Sequence, residues 1–300
     1  MRLIAATALL TLSSLPAIAA DWKSDYKVVR FGVLSGENEK DRVARYKPFE
    51  AYLEKTLGID VELFTAGNYD GVVQALAADQ IEFAFLGSSA YAAAYTETDG
   101  GIVPLLTAVQ EDDSTGYFSV ITVRCDSPYK KIEDLKGKVL AFADPDSTSG
   151  YAVPNYNLVQ QGFEPSTYFS ATPFSGSHEA GVQGVVNGQF DAAATYINNE
   201  KSGIPQRMVT KGMIKEGEVC NIWKSPEITS GPFTARANLP AELIADMQAA
   251  VKAVPEADPA AHKEMTGAEN STAKGYVEVD HDRYQWIVDM RAWLKAQRKS

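Results

Sequence analysis

Three hydroxyl residues stand in a row, Ser147-Thr148-Ser149, after Ala143-Asp144-Pro145-Asp146 and before Gly150. The segment leaves a strand-like run and opens a helix-like one, so its first backbone N–H groups have no intrahelical partner. A helix start of this kind, enriched in hydroxyl donors, holds an anion without any lysine or arginine. Asp146, Ser147 or Thr148 can each cap the helix. Capping explains one hydroxyl but not three together. The run Phe85-Leu86-Gly87-Ser88-Ser89-Ala90-Tyr91 has the same strand-to-helix character, with an ordinary cap by Ser88 or Ser89 as the plainer alternative. In a third run, Phe174-Ser175-Gly176-Ser177-His178-Glu179-Ala180, His178 sits at a helix start. The positive end of that helix keeps the imidazole neutral, and a neutral imidazole still donates one hydrogen bond. A histidine on a solvated first turn is the alternative there. Tyr69 follows Gly67-Asn68 and Tyr117 follows Gly116. Each phenol either packs in the core or bonds a ligand oxygen while excluding water.

These donors point to binding and not to catalysis. Two of the three histidines, His262 and His281, lie in the C-terminal part, and His178 has no Ser–His–Asp spacing around it. Neither a glycine-rich dinucleotide turn nor a P-loop is present. No metal or cofactor is expected. The net charge of −11 argues against nucleic acid as a partner and against long-range steering of an anion. Attraction for an anionic ligand must therefore be local.

The elements that carry these runs alternate. Residues 27–34, 61–64 and 81–86 read as strands; 46–57 and 69–78 read as helices with inward apolar faces. The pattern pauses at Gly116, continues through a β-rich run at 117–124, and resumes from 139 onward. Strand–helix alternation of this kind predicts an α/β fold with mixed, mostly parallel sheets. Crossovers at 117–124 and 219–233 divide it into two lobes: 21–122 with 227–300, and 123–226. The helix-rich part at 240–300 is expected on the first lobe. Facing strand ends in two such lobes form a cleft for ligand.

The N-terminus reads as a signal peptide over residues 1–20. Arg2 precedes an apolar run at 3–12, Pro16 breaks it, and Ala17-Ile18-Ala19 supplies small residues for cleavage after Ala19 or Ala20. In an exported chain the two cysteines, Cys125 and Cys220, allow one disulfide; two buried free thiols are the alternative.

Taken together, the chain resembles the phosphate, phosphite and phosphonate-binding proteins of ABC importers, which have the type II periplasmic binding fold. The resemblance runs through Phe31-Gly32-Val33-Leu34, Asn68-Tyr69-Asp70-Gly71, Gly116-Tyr117-Phe118-Ser119, and Trp223-Lys224-Ser225-Pro226. Its specific part is Asp144-Pro145-Asp146-Ser147-Thr148-Ser149-Gly150, followed by Ser175-Gly176-Ser177-His178. It implies that Ser147, Thr148 and Ser149 hold the phosphorus-bound oxygens and that His178, Tyr69 and Tyr117 complete the cage. It also implies a monomer in the periplasm that meets an inner-membrane permease transiently; a sensory binding protein feeding a membrane receptor would use the same clamp. In Gly87-Ser88-Ser89-Ala90-Tyr91, Ala90 stands where relatives carry serine, so Ser88 or Ser89 is expected to substitute. Family members that take aminoalkyl phosphonates meet the ammonium with carboxylates. Here Asn198 and Gly231 occupy that region, with Asp191 and Glu200 near in sequence. The expected ligand therefore lacks an amine: phosphite, methylphosphonate, hypophosphite or phosphate. A binder of an aminoalkyl phosphonate, or of another small solute on the same fold, is the alternative.

Overall fold

The computed structural model describes residues 22–297. The signal peptide and its cleavage site lie outside the described residues.

The chain begins with β1 (Val28–Val33), α1 (Glu39–Leu57), β2 (Asp60–Thr65), α2 (Tyr69–Ala77), β3 (Phe83–Phe85), α3 (Ser88–Glu97) and β4 (Ile102–Gln110). It continues with β5 (Gly116–Arg124), β6 (Leu140–Ala141), a π-helical turn (Thr148–Ala152), α4 (Val153–Gln160), α5 (Pro165–Tyr168) and α6 (His178–Val186). Next come β7 (Ala192–Asn199), β8 (Ser202–Gly203), α7 (Ile204–Thr210), β9 (Val219–Lys224) and β10 (Ile228–Thr229). The last elements are β11 (Pro232–Arg236), α8 (Ala241–Ala257), α9 (Pro259–Thr266), β12 (Ala273–Glu278) and α10 (Gln285–Gln297). No helix among the described residues is long and apolar enough to cross a membrane.

Two sheets result. One has the order β12-β4-β11-β3-β1-β2; the other runs β10-β5-β7-β6, with β9 beside β5 and β8 beside β7. Parallel pairing joins β2, β1 and β3 in the first sheet and β6 to β7 in the second. The remaining pairs are antiparallel, more of them than alternation alone implies, because β4, β5, β9, β11 and β12 reverse direction around the passages between lobes. Charge hides the start of α1: seven polar-rich residues, Glu39 to Arg45, precede the apolar stripe. The helix is set instead by Asn38, whose side chain accepts from the Asp41 N–H.

The chain crosses between sheets in two short places. All of β5 pairs within the second sheet, so the first passage is residues 111–115 and residues 116–122 lie in the second lobe. β10 still pairs with β5, and β11 already pairs with β3, so the return passage is Ser230-Gly231. The C-terminal part does not stay on the first lobe. α8 and α9 join the first-sheet core through Leu243, Met247, Val251 and Met265. α10 instead buries Ile287, Met290 and Leu294 in the second-lobe core with Leu135, Phe142 and Leu158, while also packing on α3.

Cys125 and Cys220 form a disulfide, closing a sequence separation of 95 residues. Both sit in the second lobe, at the end of β5 and on β9, so the bridge braces one sheet and ties no passage between lobes.

Candidate functional site

A cavity of about 230 Å³ lies where the lobes meet. The second lobe supplies Tyr117, Ser147, Thr148, Ser149, His178, Tyr196 and Asn198 to its wall. Leu34, Tyr69 and Gly87 come from the first lobe, and Ser230-Gly231 from the return passage. Among the described residues, no carboxylate, lysine or arginine lines it.

The hydroxyl turn after Asp144 is wound as a π-helical turn: the Ala152 N–H donates to the Ser147 carbonyl at 3.0 Å, and the Val153 N–H donates to Thr148. Such turns widen the helix start and recur at functional sites. Ser147 caps it, its Oγ accepting from the Gly150 N–H at 3.0 Å. His178 Nε2 lies 3.1 Å from the same Oγ, and its Nδ1 lies 3.2 Å from Thr195 Oγ1. Burial, with the nearby Arg207 charge, pushes the imidazole pKa down to about 3, so the ring is neutral. Each ring nitrogen of the neutral imidazole thus engages one hydroxyl, Nε2 that of Ser147 and Nδ1 that of Thr195. The Ser147 hydroxyl also meets the Tyr69 phenol, so cap, imidazole and phenol converge on one oxygen. His178 lines the cavity with both of its ring nitrogens already engaged by hydroxyl groups. Gly150 permits the close approach: a Cβ there would sit 2.8 Å from His178 Cε1.

Tyr69 is buried in the wall and Tyr117 is partly buried. Desolvation raises both phenols, Tyr117 to about 12, so both remain protonated donors. Tyr117 packs edge-on against Tyr196, which in turn stands edge-on to His178.

Ser88 and Ser89 do not serve as the sequence implies. Ser88 Oγ donates to the Thr229 carbonyl, and Ser89 Oγ accepts from Arg291 at 2.7 Å. Neither lines the cavity; Gly87 does, with only 3.2 Å between the place of a Cβ there and Thr148 Oγ1. Asn198 and Gly231 do line it. Asp191 is engaged elsewhere, accepting from Tyr129 and from the Val139 N–H, and Glu200 is exposed.

The lobes touch through a repeated device. The starts of α1, α2 and α3 each receive an acceptor from the second lobe. Glu179 Oε2 accepts from the Asn38 N–H at 3.1 Å, Asp144 Oδ2 from Tyr69 at 3.2 Å, and Thr148 Oγ1 from Ser89 at 2.8 Å. Helix starts favour such acceptors. Burial raises the Asp144 carboxyl despite the N–H groups of Asp146 and Tyr69. Lys211 reinforces the contact, lying 2.7 Å from Glu179, 2.9 Å from Asp41 and 3.1 Å from Glu37. Burial opposes ionisation of Glu37, but Arg45, Arg207 and Lys211 outweigh it and hold its carboxyl below the usual range. Arg291 on α10 bridges the lobes again, from Ser89 to Asp146 at 2.7 Å.

Sequence reasoning missed Tyr196, Thr195, Leu34 and Ser230. Tyr196 was within reach: it lies two residues before Asn198 on β7, and strand alternation puts both on one face.

Two α/β lobes around a cleft walled by uncharged donors define a type II periplasmic binding protein. The chain belongs to the family described as ABC transporter, phosphonate, periplasmic substrate-binding protein, whose model matches residues 31–284. It is 33% identical over 242 residues to the phosphonates-binding periplasmic protein of Escherichia coli K12, covering 79% of this chain and 68% of that one. It is 31% identical to a phosphate-import protein of Mycolicibacterium smegmatis, over 73% of this chain and 69% of the relative. The fold matches that of a Prochlorococcus marinus protein solved in complex with methylphosphonate, with TM-score 0.78 and 21% identity over 90% of this chain and 98% of that one. The chain is thus the periplasmic substrate-binding component of a phosphonate-type ABC transporter, in a family of transport proteins and not of enzymes.

Proposed function

We propose that the chain captures a small phosphorus oxyanion without an amine, such as phosphite, methylphosphonate or phosphate, in the cavity between the lobes. Ser147, Thr148 and Ser149 hold the ligand oxygens through hydroxyl and backbone N–H groups. Tyr69 and Tyr117 close the cage, and His178 orients Ser147. The observation that carries this reading is a buried wall of uncharged donors with no carboxylate in it. An ammonium would find no counter-charge there, whereas each hydrogen bond to an anionic oxygen contributes about 1.5–3 kcal/mol. The lobes close over the ligand by bending at residues 111–115 and 230–231, and the closed monomer docks on its permease. The mature chain begins after Ala19 or Ala20. The phosphate-import and methylphosphonate-bound relatives support an amine-free ligand.

Calorimetric titration with phosphite, methylphosphonate, phosphate, sulfate and 2-aminoethylphosphonate tests this. One of the first three is expected to bind with a dissociation constant of about 1 μM or tighter. Binding of 2-aminoethylphosphonate alone would overturn the reading.

A further inference from the structure

Tyr196, Asn198 and Gly231 line not only the first cavity but a second one beside it, of about 270 Å³. Much of the wall of this second cavity is aromatic, from Tyr46, Phe85, Phe233 and Tyr276. Two guanidinium groups, Arg45 and Arg207, also line it, and no carboxylate among the described residues does. The two are not equivalent. Arg45 is fully engaged: its Nε donates to Glu37 at 2.8 Å, its Nη1 donates to the Met265 carbonyl, and its guanidinium lies 4.6 Å from the centre of the Tyr46 ring. Arg207 has donors to spare. Its Nη2 donates to the Tyr196 hydroxyl at 3.3 Å, and its Nη1 is a long 3.8 Å from Glu37. Its Nε is buried with no hydrogen-bond partner among the described residues. Nε is shut away from solvent, so the Nη groups are the ones a ligand in the cavity can meet.

We propose that this second cavity receives the organic arm of the ligand and selects an arm ending in a carboxylate, with Arg207 as its partner. This rests on the oxyanion reading of the first cavity. An arm leaving that cavity past Tyr196 and Asn198 meets aromatic walls that suit methylene groups. It then meets a guanidinium whose planar fork matches a carboxylate. An ammonium in the same place faces two guanidinium groups and no carboxylate on the wall. Position 231 can add no counter-charge, because a Cβ there would lie 1.9 Å from the Leu86 carbonyl oxygen.

Calorimetry of the mature protein with methylphosphonate, phosphonoacetate, 3-phosphonopropionate and 2-aminoethylphosphonate tests the proposal. At least one carboxylated phosphonate binds about tenfold tighter, or more, than the aminoethyl compound, the scale of one charge-assisted hydrogen bond. In Arg207→Gln that ratio falls close to one, and Arg207→Lys, which keeps the charge but loses the fork, recovers only part of it. The ligand comparison in the unaltered protein stands even if a variant fails to fold. The proposal is overturned if the aminoethyl compound binds as tightly as both carboxylated ones, or if Arg207→Gln leaves the ratio unchanged. Methylphosphonate binding in the first of those cases leaves the oxyanion seat intact. If none of the four binds, the proposal fails, and the oxyanion reading fails with it only if phosphite and phosphate do not bind either.

Discussion

His178 makes a pH dependence of stability that can be isolated by substitution. Its pKa is about 3 in the folded chain against a reference of 6.5, because the ring is desolvated and lies near the Arg207 charge. Above pH 6.5 the ring is neutral in both folded and unfolded chains and contributes no proton linkage. As pH falls below 6.5 the unfolded chain takes up a proton that the folded chain refuses. Stability is then lost until the folded pKa is passed. Each pH unit well inside that window is worth about 1.4 kcal/mol, and the loss between pH 7.5 and 4.5 is about 2.7 kcal/mol. Many carboxylates titrate in the same range, so the quantity to measure is a difference. Urea unfolding of the natural chain and of His178→Gln, at half-unit steps from pH 4.5 to 7.5, gives the stability advantage of histidine at each pH. That advantage is expected to shrink by about 2.7 kcal/mol toward the acid end. An advantage that stays constant across the range would refute the reasoning, since it would mean that the imidazole is free to protonate in the folded chain.

Thr195→Val removes the hydroxyl that holds His178 Nδ1. It is expected to weaken oxyanion affinity by about tenfold in calorimetry, with circular dichroism unchanged. Lys211→Met removes the cation shared by Glu37, Asp41 and Glu179. Affinity should fall several-fold, and small-angle scattering of the unliganded protein should report a larger radius of gyration. Replacing Cys125 and Cys220 together by serine removes a constraint worth up to about 4–5 kcal/mol in the chain-entropy view. The melting temperature should drop while the folded variant retains its oxyanion affinity, because the bridge is remote from the cavity.

Local chemistry was the readable part of this chain. Ser147, Thr148, Ser149 and His178 announce themselves because a helix start and its caps are written in adjacent residues. Tyr69 and Tyr117 each follow a glycine-containing turn, and they do meet in one cavity. What could not be read depends on non-local geometry. Ser88 and Ser89 look like free donors until Thr229 and Arg291, more than a hundred residues away, engage them. The limits of the lobes turn on which sheet β5 and β10 join, and β-propensity at residues 117–124 says nothing of that. The apolar face of α10 reads the same whichever core it enters; only the packing of Ile287 and Leu294 against Leu135, Phe142 and Leu158 shows that it reaches the second lobe while lying beside α3.

The acceptors that the second lobe lends to the starts of α1, α2 and α3 have a bearing on traffic through the transporter. Two of them, Glu179 and Asp144, are carboxyl groups of the chain itself, so part of what draws the halves together is present before any solute arrives. An unladen molecule therefore has its own reason to shut. The fraction of shut but empty carriers is set by these residues, and the solute need only tip a balance that already leans its way.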